Sequence, residues 1–125
     1  MQLSRDALSE SVIGYAIEAH RALGPGLLES AYEECLCFEF KNAGIEFHRQ
    51  VPLPIIYKSV KLDCGYRMDI VVASRLVIEL KTVDKLLPIH SAQLLTYLRL
   101  GRIPAGLLMN FHAPVLKDGI KRLVF

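Results

Sequence analysis

Two stretches near the beginning of the chain carry apolar residues at the spacing of an α-helix. Residues 6–23 form the first and residues 28–43 the second, and Gly44 stands where a C-terminal glycine cap belongs. A Gly-Pro-Gly triplet at 24–26 separates the two stretches, and such a triplet interrupts a helix. The pattern predicts an opening pair of helices joined by a tight turn.

After Gly44 the apolar residues alternate with polar ones, which is the spacing of a β-strand. The alternation is interrupted at Arg49, and prolines at 52 and 54 favour an edge strand or a broken one. Residues 89–100 return to helical spacing and stop at Gly101. The predicted strands are residues 45–51, 55–62 with a turn at 58–59, 66–72, 76–83, 105–111 and 120–125. The resulting order, α-α-β-β-β-β-α-β-β, is typical of a mixed α/β domain.

Length and composition fit one folded domain that covers residues 1–125. Hydrophobic residues make up 52% and charged residues 22%, values that exclude disorder and allow a sizeable core. A net charge of +2 neither indicates nor excludes a nucleic-acid partner. No stretch approaches the roughly 18 apolar residues of a membrane helix, and the first residues lack the apolar segment of a signal peptide. Three cysteines without a Cys-x-x-Cys pair indicate a reducing compartment, so we expect a cytoplasmic protein.

Residues 68–81 carry the most informative pattern, because two predicted strands follow each other closely there. The register of this hairpin decides which residues share a face of the sheet. An odd-numbered loop near Ser74 favours one polar face and one uniformly apolar face, whereas a two-residue turn mixes both. The polar face then carries Arg67, Asp69, Val71, Val77, Glu79 and Lys81, and the apolar face carries Met68, Ile70, Val72, Leu76, Ile78 and Leu80. The hydrophobic effect therefore favours the odd loop.

Two carboxylates that meet on a mostly buried sheet face repel each other and lose hydration, so a positive charge must compensate them. One solution is an ion network of Asp69 and Glu79 with Lys81 and Arg67. The other is a divalent metal, since Mg²⁺ is often bound by one or two carboxylates and retained waters. Spacing alone leaves both interpretations open.

Four short motifs resemble those of the PD-(D/E)XK nuclease superfamily. Asp69 followed by Glu79-Leu80-Lys81 is similar to its D…(D/E)-x-K signature, and Gln93 with Tyr97 resembles the Q-x-x-x-Y element of its RecB-like and lambda-exonuclease-like branches. Upstream, the segment from Gly26 to Tyr32 matches the motif of the GxxExxY family. The resemblance extends through residues 87–90 and 117–121 and so covers nearly the whole chain.

This resemblance implies a restriction-endonuclease-like fold, with a mixed central sheet flanked by helices. It also implies hydrolysis of phosphodiester bonds with Mg²⁺ or Mn²⁺, on DNA in preference to RNA. Met68 stands where the superfamily name has proline, a position that is loosely kept. The implied roles are metal binding for Asp69, Glu79 and Glu29, catalysis for Lys81 together with the two strand acids, and substrate placement for Gln93, Tyr97 and His90 on the following helix.

Two alternative functions use the same residues without hydrolysis. One is a non-catalytic module that binds nucleic acid or protein on this fold, and the other is a structural subunit of an oligomer, in which the acids and Lys81 form an internal ion network. A homodimer is compatible with the proline-containing edge strands. A zinc site at Cys35 and Cys37 is excluded, because residues two apart on a helix point in different directions. Five Tyr, five Phe and no Trp disfavour an extended platform for stacking single-stranded nucleic acid.

Overall fold

The computed structural model describes residues 6–125 and contains three helices around a mixed sheet. The elements are α1 (Ala7–Leu23), α2 (Glu29–Asn42), β1 (Phe47–Pro52), β2 (Ile55–Tyr57), β3 (Val60–Leu62), β4 (Arg67–Val72), β5 (Leu76–Lys81), α3 (Pro88–Gly101), β6 (Ala105–Asn110), a 3₁₀ turn at Leu116–Gly119, and β7 (Ile120–Val124). No helix within residues 6–125 combines the length and the apolar character that crossing a bilayer requires.

The turn between α1 and α2 is held by the hydroxyl group of Tyr32. This hydroxyl donates a hydrogen bond to the carbonyl oxygen of Gly24 and accepts one from the amide of Leu27. The ring is fully buried and stacks on Phe111, with 4.5 Å between the ring centroids. Gly24 has a φ of 71°, a conformation that favours glycine. The predicted helical hairpin is therefore confirmed, and Tyr32 fixes its turn against the end of the sheet.

The central sheet has five strands in the order β1-β4-β5-β6-β7. Strands β5 and β6 run parallel and the other neighbours run antiparallel, so α3 forms the crossover that a parallel pair needs. Helices α1 and α2 cover one face, where they pack in a core with Ile70, Ile78 and Leu107, and α3 covers the other face over Val77 and Leu108. The expected mixed sheet flanked by helices, with a helical hairpin at the beginning, is confirmed.

The hairpin between β4 and β5 has the predicted odd-numbered loop. Ile70 pairs with Ile78 and Val72 with Leu76, which leaves three loop residues. Two of them, Ala73 and Ser74, adopt left-handed φ values of 51° and 55°. Continued by one position, this register sets Asp69 against Glu79. This register is favoured because it buries all the apolar residues of the hairpin that face α1 and α2.

The predicted turn at 58–59 is confirmed, and it joins two strands, β2 and β3, that form a separate ribbon. Five strands rather than the four of the predicted order therefore precede α3. A second detail of the strand prediction is also wrong. Met68 packs in the core under α3 instead of on the face that carries Ile70. The alternation fails between these two residues where β1 is distorted opposite Asp69: Gln50 has a φ of 50° and is missing from the pairing, while the register on either side stays the same.

Replacing Tyr32 by phenylalanine tests the anchor of the α1–α2 turn. We expect Tyr32→Phe to lower the free energy of unfolding by about 1–2 kcal/mol, because the Gly24 carbonyl and the Leu27 amide both lose their partner. Urea unfolding followed by circular dichroism measures it. Tyr15→Phe is the matched control, since the hydroxyl of Tyr15 forms no hydrogen bond with the described residues. Equal stability of the two variants would contradict the anchor.

Candidate active site

Asp69 and Glu79 meet where the ladder between β4 and β5 gives way to side-chain hydrogen bonds. The amide of Asp69 donates to Oε1 of Glu79 at 3.0 Å, and the amide of Leu80 donates to Oδ2 of Asp69 at 2.9 Å. Each carboxylate is therefore oriented by the backbone of the opposite strand. Two charge-assisted bonds of this kind hold both groups in a defined geometry.

Both carboxyl groups are in an environment that disfavours their charged form. Burial, and after it the negative charge of Asp69, raises the pKa of Glu79 to about 8, and only 7% of Glu79 is exposed. Burial also raises the pKa of Asp69, against the hydrogen bond from the Leu80 amide that lowers it. The two groups are close enough to hydrogen-bond to each other when one is protonated. Burial and mutual repulsion therefore favour a proton shared by the pair, and a bound cation would favour the ionised form of both groups.

Lys81 lies half-buried at the end of β5, and its charge lowers the pKa of both carboxyl groups. It forms no ion pair and no side-chain hydrogen bond with any residue from 6 to 125, and the same holds for the exposed Arg67. The ion network considered from the sequence is therefore not formed by these two residues. The ammonium group of Lys81 keeps its three donors available beside the acid pair.

Helix α3 brings Gln93 and Tyr97 to the acid pair. Nε2 of Gln93 donates to the hydroxyl oxygen of Tyr97 at 3.0 Å, as expected for residues four apart on one helix face. Burial and then the negative charge of Glu79 raise the pKa of Tyr97, which places this hydroxyl in the electric field of the pair. Five of the residues named from the sequence thus share one side of the sheet.

His90 and Glu29 have other contacts. Nδ1 of His90 accepts the amide hydrogen of Leu87 at 2.9 Å, so its ring caps the beginning of α3. Glu29 is exposed in the first turn of α2, where the hydroxyl of Thr82 donates to it at 3.5 Å. It therefore lies beside the end of β5. Within the part of the chain that the structure describes, no three acidic, histidine or cysteine side chains are grouped as a metal site.

Glu33, a buried acid on α2, is not among the site residues predicted from the sequence. Its carboxylate accepts hydrogen bonds from Arg49, at 3.0 and 2.8 Å, and from Nε2 of Gln50 at 2.8 Å. Its charge reaches Asp69 and raises the pKa of that group. Two signals could have found it: Glu33 is four residues from Glu29 and shares its helix face, and the alternation in β1 breaks at Arg49.

The donor set suits a hard divalent cation. In residues 6–125 one oxygen of each carboxyl group, Oδ1 of Asp69 and Oε2 of Glu79, accepts no hydrogen bond from an amide or a side-chain donor. Two such oxygens on neighbouring strands are what Mg²⁺ or Mn²⁺ requires from a protein when water completes its coordination. The residues present therefore fit this class of ion.

Replacing Glu79 by glutamine tests the cost of the buried charge. The pKa of Glu79 is higher in the folded than in the unfolded chain, so the folded protein binds the extra proton and loses stability as the pH rises from about 4.5 to about 8. We expect Glu79→Gln to raise the free energy of unfolding by about 1–3 kcal/mol at about pH 9 and to leave it nearly unchanged near pH 5. Urea unfolding at both pH values measures this. Glu46→Gln, at an exposed position, is the control, and an equal effect of both substitutions would contradict the burial cost.

Comparisons with known proteins identify the family. A search of curated proteins and a search of solved structures each found no significant match. A family model described as PD-(D/E)XK nuclease superfamily matches residues 6–123, almost the entire chain. This match includes both strands of the acid pair, the helix that carries Gln93 and Tyr97, and the helical hairpin. The chain belongs to the PD-(D/E)XK nuclease superfamily.

Proposed function

We propose that this protein is a metal-dependent nuclease that hydrolyses phosphodiester bonds in nucleic acid, with DNA as the preferred polymer. The observation that carries the proposal is the pair of the half-buried Asp69 and the buried Glu79, which no ion pair within residues 6–125 neutralises. Membership in a nuclease superfamily supports a nucleic-acid substrate. Acids whose pKa is raised by burial, beside a lysine without an ion-pair partner, are typical of a site that binds a cation and acts on a phosphate.

Asp69 and Glu79 would hold Mg²⁺ or Mn²⁺ through their free oxygens. When bound, such an ion polarises the phosphate and lowers the pKa of a coordinated water. Glu29 is the third acid of the proposal, because it lies beside Thr82, one residue beyond Lys81. The charge of Glu33 adds to the negative potential at Asp69. Both strand acids are held by backbone amides, so the free oxygens are presented without reorganisation of the strands.

Lys81 supplies the positive charge that the developing phosphate needs. Its ammonium group lies on the same side of the sheet as both acids and has no ion-pair partner among the described residues. It can donate to the attacking water or to a phosphate oxygen, and stabilise the negative charge of the transition state. Gln93 and Tyr97 form a hydrogen-bonded pair at the border of the site, where they orient the substrate, and His90 keeps the beginning of this helix in place.

A non-catalytic nucleic-acid-binding module is the second candidate. The observation that favours it is the position of Glu29, which contacts Thr82 instead of the acid pair. Cleavage measured with matched variants separates the two candidates. A module binds nucleic acid but shows no turnover that depends on the strand acids.

Within the superfamily, we propose that the chain is a member of the GxxExxY group on the RecB-like side. Gly26, Glu29 and Tyr32 stand at the spacing of that motif. In this protein the tyrosine of the motif holds the α1–α2 turn, and the glutamate faces the end of β5. The motif thus ties the helical hairpin to the strand that carries the catalytic lysine.

Cleavage of single-stranded and double-stranded DNA and RNA in the presence of Mg²⁺ or Mn²⁺ tests the hydrolase. We expect Lys81→Ala to lower the rate by about 10²–10³-fold, because the transition-state charge loses its donor. Lys85→Ala is the matched control, since this exposed lysine lies four residues away in the loop after β5. Metal-dependent cleavage that survives Lys81→Ala, or the lack of cleavage of every polymer, would contradict the proposal.

Thermal unfolding with and without Mn²⁺ tests the metal ligands independently of activity. A cation that relieves the repulsion between the two carboxylates binds only the folded chain, so we expect added Mn²⁺ to raise the Tm of the natural sequence. Asp69→Asn should abolish this shift in Tm, and Glu29→Gln should weaken the affinity for Mn²⁺ by about tenfold. Glu46→Gln is the control, and a full shift in Asp69→Asn would exclude this ligand.

The affinity for Mn²⁺ should also depend on pH. Since the ion displaces the proton of Glu79, this affinity should rise by about tenfold from pH 6.5 to pH 8.

A further inference from the structure

The ribbon of β2 and β3 stands apart from the central sheet and exposes apolar side chains. Its strands pair only with each other within the described residues, through a tight turn in which Lys58 and Ser59 have left-handed φ values of 48° and 67°. Tyr57 is 58% exposed and neighbours such as Ile56 and Val60 are similarly open. An isolated two-stranded ribbon is only marginally stable in water. Exposed aromatic and aliphatic groups that lie side by side on such a ribbon often mark a binding surface.

A cleft of about 310 Å³ lies between this ribbon and α3. Ile55 and Tyr66 line it on the ribbon side, and Gln93 and Tyr97 line it on the helix side. The rings of Tyr66 and Tyr97 meet edge to face, with 6.1 Å between centroids. Tyr97 also lies in the field of Glu79, so the cleft ends next to the acid pair.

The charges around this cleft favour an anionic occupant. Residues 47–125 contain twelve basic and five acidic residues, whereas residues 1–46 contain three basic and eight acidic ones. The excess of positive charge is therefore on the part of the sequence that builds the ribbon, α3 and the strands from β4 to β7, and α3 has no acidic residue. Near the ribbon Lys58 and Arg67 are exposed, whereas Lys61 pairs with Ile56 on the face away from Ile55, and the exposed Asp63 follows β3. Nζ of Lys58 lies 5.4 Å from the ring centroid of Tyr57, which keeps a cation and an aromatic face side by side.

We propose that this cleft, from the β2–β3 ribbon to Tyr97, binds single-stranded nucleic acid and leads its backbone to the acid pair. Tyr66 lines the cleft and Tyr57 lies on the same face of β2 as Ile55, so both stack on bases, while Lys58 and Arg67 contact phosphates. An apolar, aromatic lining fits unpaired bases, whose faces are free to stack, and does not fit a duplex, whose bases are already stacked. The cleft is short, which agrees with the small number of aromatic residues in the chain. The proposal rests on the proposed nuclease function and specifies its substrate as a single strand.

Fluorescence anisotropy in EDTA tests this proposal without any hydrolysis. The probes are oligothymidylate and oligouridylate of about 12 nucleotides and a blunt duplex of the same length. We expect at least one single-stranded probe to bind about tenfold more tightly than the duplex, with an affinity that falls as salt rises. Tyr57→Ala and Tyr66→Ala should each weaken this binding by about 5–50-fold through the loss of one stacked base. Tyr66→Leu keeps the apolar lining and should weaken it as well, which separates stacking from loss of the fold.

Phe38→Ala is the matched control, because Phe38 is an exposed aromatic residue on α2, outside the cleft. Equal or tighter binding of the duplex, or tyrosine variants that bind like Phe38→Ala, would overturn the proposal. Light scattering that shows a dimer lost in Tyr57→Ala would also overturn it, since the ribbon would then serve a second copy of the chain. If the tyrosine variants weaken binding of the single strand but no metal-dependent cleavage occurs, only the proposed nuclease function is contradicted. If the protein cleaves nucleic acid but the tyrosine variants bind the single strand normally, only the proposed binding cleft is contradicted.

Discussion

The exchange of hydrogen bonds between Asp69 and Glu79 is the constraint on which the site depends. The amide of Asp69 bonds to the Glu79 side chain, while the Asp69 side chain bonds to the amide of Leu80. Each carboxylate is thus held by a backbone amide of the neighbouring strand, and Glu79 is buried and Asp69 half-buried without an ion-pair partner among the described residues. Such an arrangement costs stability in the isolated protein, and this cost becomes useful when a cation binds. The remaining elements serve to present this pair on one side of the sheet.

The apolar half of the β4–β5 hairpin made much of this arrangement predictable from the sequence. Only an odd loop buries Ile70, Val72, Ile78 and their neighbours on one face, and that register also sets Asp69 against Glu79. The helical hairpin and α3 were predictable for the same reason, because each has one apolar face at helical spacing and a glycine beyond its end. These features are determined by the burial of apolar side chains, and the spacing of apolar residues along the sequence predicts which side chains are buried.

Features that depend on a single contact between distant segments could not be predicted in this way. Met68 lies under α3 where β1 is distorted at Gln50, a residue with a left-handed φ whose side chain donates a hydrogen bond to Glu33 on α2. The sequence shows an irregular alternation at Arg49, but it does not show which helix residue forms hydrogen bonds with this part of β1. In the same way, the helix-capping role of His90 depends on the direction of its ring. Periodicity locates a residue on a face and leaves its partner undetermined.

Anomalous diffraction from a crystal grown with Mn²⁺ shows both the position of the ion and the atoms that bind it, so it tests the proposed metal site without relying on activity. We expect one manganese peak between Asp69 and Glu79, with Oδ1 of the first and Oε2 of the second about 2.0–2.4 Å away. A peak bound elsewhere, or a fully ordered pair with no manganese at saturating concentration, would contradict the proposed site.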